Sequence, residues 1–477
     1  MCMIGVSFFK TDEAVSFIRR VYPSILNEAY AQLIPATAQS KAVTDILSHL
    51  VLVHHVLFLF ISTGGNLEPQ KSKILHLHAI SIAQNYGLFN TDLDLTYESL
   101  ALHHQEESAR WQAWSRVEST KNLIIGLVLH DSWLSELFST DPIMRLDSLI
   151  LPIPCESRLY QSPNSRLWSQ IFQPNYHTNQ CLKINTHDFH LPVIKGPMHA
   201  FSMYGLLISV LLRVSGDIRR LTLYSDLSPL GEDHHVPWEA CRLDKRADIA
   251  APLVTSIINS FDSILQTLNP NCTVIWHCVC IRLTVDIELL SQAAGRDGSG
   301  AMTVARQALA SWTRTSSARR ACLHAAQTFR ILLHRKPADG TAFQSVRTLF
   351  VSALVLGFYV LLTTTMSLPE NSIGLEDFDL VDSDINWILV GSRAISDSMS
   401  DLVPAESIAS TDAAIRFIEA GGPIVLNGEN YQPGATCARR VFLEFAGLLD
   451  EVGSHWMEGY AQLLYTIHDT IVDLPTM

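Results

Sequence analysis

An all-α fold, a large multi-helix bundle or solenoid-like body with long irregular loops, is what this chain of 477 residues predicts. Three observations carry that expectation. Apolar residues recur at helical spacing in one segment after another, and strand-like patterning is confined to a weak signal at 423–426. Residues of the AVILMFWYC set make up 48% of the chain against 17% charged, enough apolar surface for a large buried core and an apolar dimer face. No strict repeat period accompanies them.

Helical periodicity covers 43–62 and 75–86, the second closed by Gly87. The next helix opens after His103-His-Gln-Glu-Glu-Ser108 and runs to about Asp131. Along it Trp111, Trp114, Glu118 and Lys121 fall at i, i+3, i+7 and i+10, a stripe that Ile125 and Val128 extend. Two indoles therefore face inward beside a carboxylate and an ammonium, groups that are costly to desolvate unless paired. Core packing is the preferred reading of the stripe, and the wall of a small-molecule pocket between helices is its rival.

From 139 to 168, Pro142, Pro152, Pro154 and Pro163 forbid a continuous helix and predict an extended surface loop. Residues 173–197 read as irregular, 200–214 as helix, 222–238 as acidic turns and 245–280 as helix again. Gly295-Arg-Asp-Gly-Ser-Gly300 makes 291–300 the best linker candidate. Helices at 302–313, 319–334 and 349–364 follow, and others start at Asn386, Asp412 and Ala438. Between them, 368–384 alternates acidic residues with Leu and Phe; a surface loop is preferred there over a disordered activation segment. The uncharged run from Thr348 to Pro369 approaches a bilayer span in length. Ser352, Thr363-Thr-Thr365 and the lack of a convincing second span favour a buried core helix, so no membrane is expected.

The net charge of −13 argues against this surface holding nucleic acid, and no Lys/Arg run reaches four, so no import patch stands out. Nine cysteines spread from Cys2 to Cys437 read as reduced intracellular thiols, and residues 1–10 lack the features of a signal peptide. Cys272 with His277-Cys-Val-Cys280 is too tight and too apolar in context for a zinc knuckle, and Cys181 with His187 and His190 lacks a fourth ligand. The pairs His54-His55, His103-His104 and His234-His235 point about 100° apart on a helix and are poor chelates. Gly295–Gly300 lacks the Lys-Ser/Thr of a phosphate loop, Gly421–Gly428 has its glycines ahead of the strand, and no Gly-x-Ser-x-Gly elbow occurs. An enzyme is not expected, nor is a cofactor in this chain.

Three blocks, in order, resemble a known family. Trp111-x2-Trp114-x3-Glu118-x2-Lys121, an apolar run ending in Leu129-His-Asp131, Leu151-Pro152-Ile-Pro154-Cys155 and Leu167-Trp168 are similar to the fungal-specific transcription factor domain. That domain is the regulatory middle homology region of fungal zinc-cluster and zinc-finger activators. The second block is Ala308-Leu-Ala-Ser-Trp312, Ala318-Arg-Arg-Ala321 and His324-Ala-Ala-Gln-Thr-Phe-Arg330, then Phe350 to Tyr359, where Gly357 stands at the family's usual tryptophan position. Phe417-Ile-Glu-Ala-Gly-Gly422 and Cys437 to Leu449 resemble the C-terminal part of the two-Cys-two-His subset.

The resemblance covers roughly 25–470. It implies a regulatory helical domain at 1–290 and a C-terminal helical region at 301–477 packed on it. It implies a nuclear regulator of a specific gene set, such as a metabolic or secondary-metabolite cluster. Such a regulator works through protein partners, a homodimer or a small-molecule effector. Zinc is expected only in the DNA-binding module that normally precedes the domain and that this sequence lacks, so DNA is reached through that module or a partner. The alternative is a helical scaffold or adaptor that does not bind DNA and acts through protein partners.

Overall fold

Helices make up 77% of the described residues of the computed structural model, with eighteen α-helices among them. Those residues are 5–6, 9, 11–39, 43–90, 103, 105–144, 150–155, 157–172, 181–183, 199–225, 236–244, 247–248, 250–363, 378–396, 409–453 and 458–471. The chain divides between Leu212 and Arg213 into two compact units.

In the first unit α1 (Asp12–Gln39), α2 (Val43–Ser62), α3 (Pro69–Asn85) and α4 (Glu107–Leu137) pack on one another. α1 continues through Pro23 and Pro35, each of which removes a helical N–H. Pro69 opens α3 at a position where its missing N–H breaks no helical bond. From Leu123 to Ser135 nearly every side chain of α4 is buried, which makes this the central rod of the unit. Small residues let neighbours approach it: a Cβ on Gly126 would meet the His54 ring, and one on Gly205 would lie 2.9 Å from Ile125 Cγ2.

The proline-rich segment is only partly extended. Ile150–Pro152 forms β1, antiparallel to β2 (Cys181–Lys183), with Pro152 opposite Cys181. Two short helices follow, α5 (Ser157–Tyr160) and α6 (Ser165–Ile171), where one long loop is expected from sequence. Pro163 stops the first, and Asn164 starts the second by accepting from Leu167 N at 2.9 Å.

The division between the units falls inside α7 (Ala200–Ser225). The second unit continues with α8 (Pro237–Arg242), α9 (Ala250–Thr267), α10 (Pro270–Thr284), α11 (Ile287–Ala293), α12 (Ser299–Trp312), α13 (Ser316–Leu333) and α14 (Phe343–Leu362). Pro270 splits the expected 245–280 helix in two. Residues 291–300, expected as a linker between domains, span the end of α11, a tight turn with Gly295 and Gly298 at positive φ, and the start of α12. Those two helices pack together.

α15 (Trp387–Val390), α16 (Ala409–Ala420), the antiparallel hairpin β3 (Ile424–Leu426) and β4 (Glu429–Tyr431), α17 (Ala435–Val452) and α18 (Glu458–Thr470) complete it. α14 is apolar on all sides and buried from Val346 to Val360 with few breaks, held by α10, α13 and α17. Its Gly357 faces the Phe442 ring of α17 so closely that a Cβ would clash, which explains why no large side chain stands there.

Two stretches, 200–221 and 343–362, are long and apolar enough to cross a bilayer; 67% and 78% of their most apolar windows are buried within the protein. The first of these is not singled out by sequence.

Candidate functional site

Of the first block's signature residues, Lys121 and Cys155 meet at the Glu118 carboxylate, and Trp114 and Trp168 pack in an apolar cluster that Cys155 adjoins. Glu118 and Lys121 are 1% and 2% exposed and lie one turn apart on α4. Lys121 Nζ donates to Glu118 Oε1 at 2.8 Å, and Cys155 N donates to Glu118 Oε2 at 2.8 Å. One oxygen therefore neutralises a buried ammonium while the other fastens the Pro152-Ile-Pro154-Cys155 segment to the helix. Proline supplies no N–H, so Cys155 is the first residue after Pro154 able to make this bond. Burial and the adjacent Glu118 push the Cys155 thiol well above its ordinary range, so it stays protonated.

Beside this clasp, Trp114, Leu159, Trp168 and Phe172 form a buried cluster, with Trp111, Ala113, Cys155 and Ile171 packed against it. Trp168 stacks on Phe172 at 4.7 Å between centroids, and Trp114 leans on Trp168 at 5.6 Å. Among the described residues neither buried indole N–H has an acceptor. Trp111 is only half-buried.

The second block organises the other unit through one face of α13. Arg320, His324, Gln327 and Arg330 follow helical spacing and all donate to backbone carbonyls of 380–394. Arg320 Nε reaches Arg393 O at 2.7 Å, His324 Nε2 reaches Ala394 O at 3.0 Å, and Gln327 Nε2 reaches Leu380 O at 2.8 Å. Arg330 Nη1 donates to Ser383 O and to Asp384 Oδ1, each at 3.1 Å. Trp312 is buried and donates its Nε1 hydrogen to Thr284 O at 3.0 Å.

His324 also stacks on Trp387 at 4.5 Å and places Nδ1 2.9 Å from His277 Nδ1. A carbonyl can only accept, so Nε2 of His324 carries its proton and Nδ1 of the neutral ring accepts from His277. Burial holds both rings neutral, His324 at about 4 and His277 well below its usual range.

Sequence reasoning misses one cluster in the first unit. His54 stacks on His130 at 4.7 Å, and His76 lies 6.4 Å from His130. His76 Nε2 donates to Asp131 Oδ1 at 3.2 Å, while Ile143 N and Met144 N donate to the same carboxylate at 3.1 and 2.8 Å. Nδ1 of each of the three rings is buried without a partner in the described residues. Burial lowers His54 to about 4 and holds His130 well below its ordinary value. The available signal was His130-Asp131 at the end of an apolar run, two polar residues where a core helix would carry none.

Among the described residues no group of three or more His, Cys, Asp or Glu side chains could hold a metal ion. Cys272, Cys278 and Cys280 are buried core thiols. His104, His187, His190, His234, His235 and residues 368–377 of the acidic stretch lie outside the described residues. The chain matches no known family profile, no curated protein and no solved structure.

Proposed function

We propose that this chain is the regulatory, effector-bearing part of a fungal-type transcription regulator. It acts in the nucleus through protein partners or a second copy of itself, and no catalysis is ascribed to it. The observation that supports the reading is the nearness of the resemblance-bearing residues: Cys155 bonds the Glu118 carboxylate that also holds Lys121, and adjoins the cluster of Trp114 and Trp168. The helical architecture supports the same reading, and the net charge of −13 fits a surface that leaves DNA contact to another module or partner.

The test fuses the full chain to a heterologous DNA-binding domain and measures a reporter, alongside transcript profiles after deletion of the gene. A several-fold reporter change, abolished by Glu118→Ala, is the expected result. No reporter change, unaltered transcripts and an extranuclear protein would overturn the reading in favour of a scaffold. Recovery with carbonate-washed membranes would assign the 200–221 and 343–362 helices to a bilayer instead. Salt-sensitive, sequence-selective DNA binding by the purified chain would reverse the view that this surface lacks a reader.

A further inference from the structure

A cleft of about 210 Å³ opens in the first unit where α3 runs past the C-terminal end of α4. Its volume lies below the roughly 300–1,000 Å³ of drug-sized sites. His76 and Asp131 border it, and Asp131 is already committed to three hydrogen bonds, from His76, Ile143 and Met144. Leu77, Leu134, Phe138 and Ile143 give the cleft apolar walls.

Three other polar groups on the lining, Lys73, Thr140 and Asp141, make no ion pair or side-chain hydrogen bond among the described residues. The Lys73 ammonium stands 4.8 Å from the Phe138 ring centroid and has no carboxylate within ion-pairing distance among the described residues. Among the described residues the exposed Asp141 carboxylate has no cation and the Thr140 hydroxyl no hydrogen bond. A lone cation and a lone carboxylate on one small, largely apolar cleft select a ligand with both charges on a compact head and an apolar body. A simple carboxylic acid would leave Asp141 opposing it, and a simple amine would leave Lys73 opposing it.

We propose that this cleft binds a free α-amino acid with an apolar side chain. Its carboxylate lies on Lys73 and Thr140, its ammonium on Asp141, and its side chain against Leu77, Leu134, Phe138 and Ile143. The assignment stands whether or not the chain regulates transcription.

Calorimetric titration of the full chain with leucine and phenylalanine tests it, with 4-methylpentanoic acid and 3-methylbutylamine as probes that each lack one charge. Saturable binding of an amino acid is expected, weakened at least about tenfold in either single-charge probe. Lys73→Gln and Asp141→Asn should each weaken binding by a similar factor while melting near the parent temperature, and Lys73→Arg should retain most of the affinity. Absence of saturable heat with both amino acids at millimolar concentration overturns the proposal. So does equal binding of the acid and the amino acid, or affinity that Lys73→Gln leaves unchanged.

Discussion

Glu118 Oε2 accepts the backbone N–H of Cys155 at 2.8 Å, across 37 residues of chain. The bond matters because the other oxygen of the same carboxylate is engaged by Lys121, so removing one side chain disturbs two buried groups at once.

Glu118→Ala should therefore destabilise the protein by about 3–5 kcal/mol, since it removes the carboxylate that both the buried Lys121 ammonium and the Cys155 N–H bond. Glu118→Leu combined with Lys121→Met should cost much less than the single Ala change, because the buried charge pair is replaced as a whole by apolar side chains. Denaturant midpoints measure both. An unaltered midpoint for Glu118→Ala would show that the clasp contributes nothing.

Gly357→Ala should destabilise by about 1–3 kcal/mol, because its Cβ would overlap the Phe442 ring inside a packed helix pair. Shortening the opposing side chain with Phe442→Leu should recover part of the loss. Thermal melts of the two single variants and the pair give the coupling. Simple additivity would mean that the ring relaxes elsewhere.

Acid should weaken the fold through its enclosed histidines. Above pH 6.5 a ring such as His54 or His324 is neutral in both folded and unfolded chains and contributes no pH dependence. Below 6.5 the unfolded chain takes up a proton that the folded chain refuses until about pH 4. Stability thus falls as pH drops from 6.5 towards 4, by roughly 3 kcal/mol per ring at the limit. Urea titrations at pH 7, 6, 5 and 4 should show this decline, and His54→Asn should make it shallower. A stability flat from pH 7 to 4 would mean that the rings are hydrated in solution.

Asp131→Ala should cost about 3 kcal/mol or more, since His76 and the N–H groups of Ile143 and Met144 lose their acceptor together. Hydrogen exchange should quicken at Ile143 and Met144 ahead of the rest of the first unit. Unchanged protection there would show that the carboxylate is dispensable for holding this segment.

Periodicity made much of the helical framework legible. The 43–62 helix matches its sequence reading at both ends, and the 423–426 strand signal is β3. α1 is not legible in this way, because Pro23 and Pro35 break the local pattern and only the packing against α2 and α3 maintains it. The inward stripe on α4 was readable for Trp114, Glu118 and Lys121, since spacing puts them on one face, whereas Trp111 near the helix start stays half-buried. Arg320, His324, Gln327 and Arg330 share a face by the same rule, but spacing says nothing of the carbonyls they reach 53 to 73 residues away.

Helical class and the burial of the Glu118 stripe follow from local order, because a period of 3.6 residues assigns a side chain to a face without reference to distant chain. The Lys121 pairing belongs with them, as it spans a single turn. The hold on Cys155, the three-histidine cluster and the cleft beside Lys73 are tertiary decisions. Each joins groups from separate helices or loops, and a local pattern carries no information about which distant N–H, ring or carboxylate will be brought into contact.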